Sequence, residues 1–297
     1  MLNLILAGGY GRRLVPLTDY YAKPLLPLGE KRILDWILEK LPSQPTYIST
    51  NQRFYEDFLS WKGRRDLEIV VEKTLREEEK PGAVGGILYF LKETGVREGI
   101  LVINGDNVFD FDLKRMEDTE EPVNLVYRVE DLERIRGRLG NVVMEGKWIK
   151  KLVEKPPEPL TPYVSTGIYY FPPSLFPRIE EFLKGRRKDR DNLGSFLCWL
   201  MEDKGIRLRG EVREGKWVDI GSRKTYLEAY RIFLGKDVYV SGKSQVRDSQ
   251  LISTVVLGEA EVLKCHLEGC IVDEDTHLEG VSLRETIVGR GSYLVVR

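Results

Sequence analysis

The sequence predicts an α/β fold. Residues 1–235 read as a Rossmann-like, mostly parallel sheet with helices on both faces, and residues 236–297 as a short repeat domain of stacked coils. Two observations carry this. From Met1 to about Asp110, short apolar runs alternate with segments of helical spacing, the pattern of a parallel sheet covered by crossover helices. After Gly235, apolar residues recur every 16 positions. A unit so short cannot bury its own apolar face, so neighbouring coils must share a core.

The opening run LILA, residues 4–7, reads as a buried parallel strand. It leads into Gly8-Gly9-Tyr10-Gly11, then Arg12 and Arg13, with Lys23 beyond. Glycines let the backbone turn sharply and approach a ligand, and successive N–H groups in such a turn form an anion-binding nest. Glycines alone are equally compatible with an ordinary strand-to-helix turn, and the spacing matches neither the dinucleotide fingerprint nor the Walker loop. A helix follows from Arg32 through Leu41, ended by Pro42 and Pro45. Strands are expected at 46–49, 67–71 and 100–103, and helices at 54–61 and 83–93, the last despite Gly85 and Gly86. In sheets of this kind ligands bind beyond the carboxyl ends of the strands, where Gly8–Arg13 and Gly105-Asp106 fall.

Further strands are expected at 123–129, 141–144 and 148–153, the last two flanking a Glu145-Gly146-Lys147 turn. A proline-rich loop at 156–162 precedes a strand at 164–171 and helices at 173–183 and 193–204. Residues 206–212 and 216–219 are expected to pair with each other, and a helix at 223–234 closes this part. The repeat then reads LISTVVLGEAEV from Leu251, LEGCIVDEDTHL from Leu267 and LRETIVGRGSYL from Leu283, with a weaker copy from Gly235. Val240, Val256, Val272 and Val288 fall in register, as do Val246, Val262, Leu278 and Leu294. A small β-sandwich with accidental periodicity is the alternative.

Composition excludes several classes. With 46 basic and 47 acidic residues the net charge is −1, without the basic excess of a nucleic-acid binder. Apolar residues make up 42% of the 297, enough for a sizeable core. Cys198, Cys265 and Cys270 form no C-x-x-C pair and no extracellular disulfide framework. No run approaches 18 apolar residues, and the start lacks a signal-peptide pattern. A cytoplasmic protein without membrane or nucleic-acid partners is expected.

Candidate chemistry rests on acidic residues at strand ends. Asp106 lies in INGDN and Asp219 in KWVDIG. Carboxylates are the hard oxygen ligands that Mg²⁺ takes, one or two per site beside substrate phosphates. An aspartate after a strand is more often a turn or a helix cap. Glu154-Lys155-Pro156 after a strand reads equally as a surface ion pair. The two histidines, His266 and His277, lie in the repeat, so histidine-based nucleophilic chemistry near these motifs is not expected.

Residues 4–28, LILAGGYGRRLVPLTDYYAKPLLPL, closely resemble the N-terminal signature of the sugar-nucleotidyltransferases, LAGG-x-G-[TS]-R-L-x-P-L-T followed by P-K-P-L-x-P. The sequence departs at Arg12, where the family has a small hydroxyl residue, and at Ala22, where it has proline. The resemblance continues through G-D-[NS] at Asp106, E-K-P at Glu154-Lys155-Pro156 and W-x-D-x-G at Asp219. It implies a Mg²⁺-dependent enzyme that transfers a nucleotidyl group from a nucleoside triphosphate to a sugar 1-phosphate, such as glucose 1-phosphate, releasing pyrophosphate. Arg13, Lys23 and Lys155 are implied as catalytic. Leu6, Ala7, Gly8, Gly9, Gly11, Arg12, Gly82 and Asp106 would hold the nucleotide, with Gly82 in a segment loosely like the family's nucleobase segment. Gly140, Glu154, Lys155 and Thr166 would hold the sugar phosphate, and Asp106 with Asp219 the metal. The repeat resembles the family's C-terminal left-handed β-helix. Its few coils argue against the acyltransferase activity of bifunctional relatives, and its open end favours homo-oligomer formation. Two rival readings stay open: a non-catalytic, nucleotide-sugar-binding regulator of the same fold, and a nucleotidyltransferase for a non-sugar phosphate.

Overall fold

A computed structural model describes residues 1–114, 116, 118–185 and 192–296. The chain divides into two compact units, one of residues 1–9 and 39–217, the other of residues 10–38 and 218–297. The units interleave along the chain, whereas the sequence reading divides it at residue 235.

The first unit is built on a nine-stranded sheet. Its strands run, edge to edge, Glu68–Glu72, Thr46–Asn51, Leu2–Leu6, Ile100–Asn104, Tyr163–Phe171, Val123–Arg128, Arg209–Arg213, Trp148–Glu154 and Gly140–Glu145. The first four are mutually parallel, with Leu6 opposite both Ser49 and Asn104. Tyr163–Phe171 then runs antiparallel to both of its neighbours. The sheet is therefore mixed, and the expected mostly parallel order holds only for its N-terminal half. Parallel pairing needs a crossover between strands, and only that half alternates strand with helix.

Leu2 and Leu4 enter one core with Val84, Ile87 and Phe90 of the helix Gly82–Thr94, Phe182 of the helix Phe176–Gly185, and Phe196 of the helix Leu193–Glu202. Ile5, on the opposite pleat, is also fully buried, which is why this strand is apolar on successive residues instead of alternating. The turn at Glu145-Gly146-Lys147 is a hairpin, with Trp148 opposite Glu145. The expected pairing of 206–212 with 216–219 does not form. Arg209–Arg213 instead runs parallel to Val123–Arg128, and Asp110 exchanges backbone and side-chain bonds with Lys216.

In the second unit the repeat pairs in parallel at a spacing of 16 residues. Val240, Val256, Val272 and Val288 stack in one sheet. Val246, Val262, Leu278 and Leu294 stack in a second, and Leu251, Leu267 and Leu283 in a third. All-parallel pairing excludes the β-sandwich. Corners between these sheets take positive φ in register, at Ser253, Gly269 and Glu285 and at Asp248, Lys264 and Gly280. The helix Arg223–Leu234 starts on a Ser222–Thr225 capping box and stops at Gly235, which has φ 64°. Its Tyr226 and Tyr230 hydroxyls both donate to Pro27 O, and Trp36 meets Phe233 edge to face.

Candidate active site

In the first unit, the carboxyl ends of four parallel strands line up the residues that follow them. Gly105 N–H donates to Leu6 O at 2.9 Å, which places Ala7–Gly9 beside Gly105 and Asp106. Asp106 occupies the tight turn after Ile100–Asn104. Ala7 N–H donates to Ser49 O, and Asn51 Nδ2 donates to Gly8 O at 3.1 Å. The glycines are required by what faces them. A Cβ on Gly8 would lie 3.2 Å from Glu72 Oε2, and one on Gly86 would lie 2.7 Å from Glu72 Oε1.

Glu72 is a buried carboxylate that accepts from Ser49 Oγ at 3.2 Å, close to the amino end of the helix that starts at Gly82. A helix amino terminus favours negative charge. Sequence reasoning missed Glu72. Its only local signal is an acidic residue closing the apolar strand EIVVE.

A second group in the same unit collects Gly140, Glu154, Lys155 and Thr166. Gly140 lies directly opposite Glu154 in the antiparallel pair, and a Cβ there would sit 2.8 Å from Glu154 Oε1. Gly194, at the start of its helix, leaves room for the same carboxylate. Burial raises the Glu154 pKa, against the pull of Lys155 and a hydrogen bond with Asn192. Asn192 and Gly194 are further residues that the sequence did not single out. Lys155 has φ 46°, a left-handed conformation that costs a non-glycine residue about 1–3 kcal/mol. Its N–H donates to Leu139 O. Thr166 turns its hydroxyl to Leu125 O, and its own carbonyl accepts from Trp217 Nε1. The Thr166 side chain and carbonyl are thus both committed within the sheet, and the following Gly167 takes φ 77°.

The second unit holds Gly11, Arg12, Arg13, Lys23 and Asp219. Gly11 has φ 63°, and its carbonyl accepts from Thr18 Oγ1 and from Leu14 N–H. Arg12 and Arg13 are both exposed in the turn Arg12–Leu14, and Lys23 opens the turn Lys23–Leu25. A Cβ on Gly221 would meet Arg13 Nη2 at 3.0 Å and Asp219 Oδ1 at 3.5 Å. The Arg13 guanidinium and the Asp219 carboxylate thus converge on one bare glycine. Ala22, in the family's proline position, is fully buried.

A family model described as nucleotidyl transferase matches residues 2–234. The chain belongs to the nucleotidyl transferase family. It is 29% identical over 260 residues to the bifunctional protein GlmU of Methanocaldococcus jannaschii, an alignment that covers 86% of this chain and 60% of that protein. It is 25% identical over 311 residues to mannose-1-phosphate guanylyltransferase 1 of Arabidopsis thaliana, covering 98% of this chain and 82% of the plant protein. Among solved structures, a putative glucose-1-phosphate thymidylyltransferase from Bacillus anthracis, in complex with a sucrose, superposes with a TM-score of 0.66 at 25% identity. That match covers 77% of this chain and 94% of the other. The family's relatives are thus sugar nucleotidyltransferases, as the N-terminal signature implied. Among the described residues no helix is long and apolar enough to cross a membrane.

Proposed function

We propose that this protein joins a nucleoside triphosphate to a hexose 1-phosphate, giving a nucleotide sugar and pyrophosphate. The observation that carries the proposal is the line of Gly8, Gly9, Glu72 and Asp106 along the carboxyl ends of the parallel strands. In it a bare glycine backbone, an acid and a turn aspartate meet in the place where such sheets bind nucleotides. Arg13 and Lys23 would neutralise the triphosphate, and Lys155 the sugar phosphate. Glu154, half-buried and hydrogen-bonded, suits a ring of sugar hydroxyls better than an anion. An oxygen of the sugar phosphate attacks the α-phosphorus and pyrophosphate leaves in line, so the protein's work is positioning and charge neutralisation.

The donor chemistry fits Mg²⁺. Asp106 and Asp219 offer the hard oxygens that Mg²⁺ takes, one or two per site beside substrate phosphates. By their motifs Asp106 and Asp219 are each candidate ligands for the ion, which when bound would neutralise phosphate charge. We further propose guanine as the base. A buried carboxylate between Gly8 and Gly86 accepts hydrogen bonds, which suits the paired N1–H and N2–H donors of guanine, where uracil and thymine offer a single N3–H. The guanylyltransferase relatives also align through the repeat, over 98% of this chain. A cytoplasmic location, a left-handed coil and self-association through the last strand Tyr293–Val295, whose side chains are exposed, belong to the same reading.

Pyrophosphate release with Mg²⁺, across GTP, UTP, dTTP and ATP against mannose and glucose 1-phosphates, tests the proposal. GTP is expected to give the highest kcat/KM. Turnover with uridine or thymidine triphosphates alone would refute the base assignment, and silence across the panel would refute the activity and favour the regulatory reading.

A further inference from the structure

We infer that the last coils of the repeat position the loop bearing Arg13 and Lys23, with Arg290 as the positioning residue acting through Tyr21. The inference rests on the reading that this loop holds the triphosphate.

The segment between the two cations has little structure of its own. It consists of a four-residue helix, Leu17–Tyr20, and a three-residue turn, Lys23–Leu25. Elements this short do not hold their shape unaided, so what they pack against sets where the cations point. The repeat supplies that support at three places within the second unit. Pro16 lies against Gly289, where a Cβ would come within 2.7 Å of its ring. The Arg290 guanidinium lies over the rings of Tyr20 and Tyr21, at 5.2 and 4.8 Å from their centroids, and bonds both the Tyr21 hydroxyl and Glu274. The Tyr21 hydroxyl in turn donates to Glu274 Oε1 at 2.7 Å. The clamp grips residues 16, 20 and 21, between Arg13 and Lys23.

The chemistry of the clamp favours placement over stability. Behind Glu274 lies Asp273, only 1% exposed, whose Oδ1 accepts from Glu274 N–H. Arg290 Nε and Asp273 Oδ2 are buried without a hydrogen-bond partner. Buried polar atoms left without partners are costly, and apolar side chains of similar size would hold a coil to a loop more cheaply. What a planar guanidinium gives instead is direction: it stacks on two rings and fixes one hydroxyl at once.

The test uses the full chain. Arg290→Ala is expected to raise KM for the triphosphate about tenfold, equivalent to about 1.4 kcal/mol, and to leave KM for the sugar 1-phosphate within about twofold. Arg290→Lys, which keeps charge but loses the fork and the stacking, should fall between. Amide exchange should quicken across residues 10–23 while the inner coils stay protected. Tyr21→Phe removes one hydroxyl and keeps the ring, so it serves if Arg290→Ala does not fold. It should raise the triphosphate KM by a few-fold. Equal KM changes for both substrates, or unaltered exchange in residues 10–23, would overturn the inference. Should the parent make no pyrophosphate with any substrate pair, the activity reading fails, and the exchange comparison still decides the positioning role.

Discussion

Arg12 and Arg13 are adjacent, exposed and identical in charge, yet their surroundings separate them. Arg13 sends its guanidinium to the bare face of Gly221, beside Asp219. Arg13→Ala should lower kcat/KM by about two orders of magnitude, the scale of losing one preorganised charge contact. Arg12→Thr, the family's residue type, should be tolerated. Steady-state kinetics on both variants checks this, and a larger loss at Arg12 would show that the loop register is misassigned. Asp273 gives a prediction of another kind. Burial, opposed by Arg290 and reinforced by Asp275, pushes its pKa up to about 6, with the Tyr21 and Tyr226 phenols also sensing its charge. The folded state then holds a proton that the unfolded state has released, so stability falls as pH rises from about 4 to about 6 and levels above that. Urea unfolding of Asp273→Asn should lack this slope, and curves parallel to the parent's would refute it. At this scale the cations and strand-end aspartates stand out in the sequence because each sits in a contiguous motif. Glu72 was not, because its environment is made by Gly8 and Gly86, far from it in sequence.

The helix Gly82–Thr94 carries Gly85 and Gly86 near its start, against its own propensity. The structure explains the second: any side chain at 86 would strike Glu72. Gly86→Ala improves helix propensity by about 1 kcal/mol, yet it is expected to lower both stability and triphosphate affinity. A thermal melt and a nucleotide titration check this, and a stabilised variant with parental affinity would contradict it. Local pattern located the long strands and helices of residues 1–235 but not the short elements Leu17–Tyr20, Pro27–Leu28, Lys31–Arg32 and Asn107–Phe109. It failed at 206–212, where sequence neighbours joined by a short link were expected to pair and the strand instead found Val123–Arg128. Nothing in a local window encodes such a long-range parallel partner, and the same gap made the sheet look more parallel than it is.

At the scale of the molecule, the repeat was legible because a 16-residue period is a property of sequence alone. The residues that dock it were not. Tyr239 donates to Glu30, Arg223 bonds Gly269 O, and Arg290 clamps Tyr21, all within the second unit. A chain ended after Leu234 should therefore melt at lower temperature and lose triphosphate affinity more than sugar-phosphate affinity, measured at a temperature where it stays folded. Equal affinity for both substrates in a folded truncation would leave the repeat a purely stabilising role. The claim on which all of this depends is the bond made. Phosphorus NMR of the full chain with Mg²⁺, GTP and mannose 1-phosphate follows every phosphate at once. The account predicts nucleotide sugar and pyrophosphate appearing in equal amounts as both substrates fall. Release of inorganic phosphate from GTP, with the sugar phosphate untouched, would contradict it.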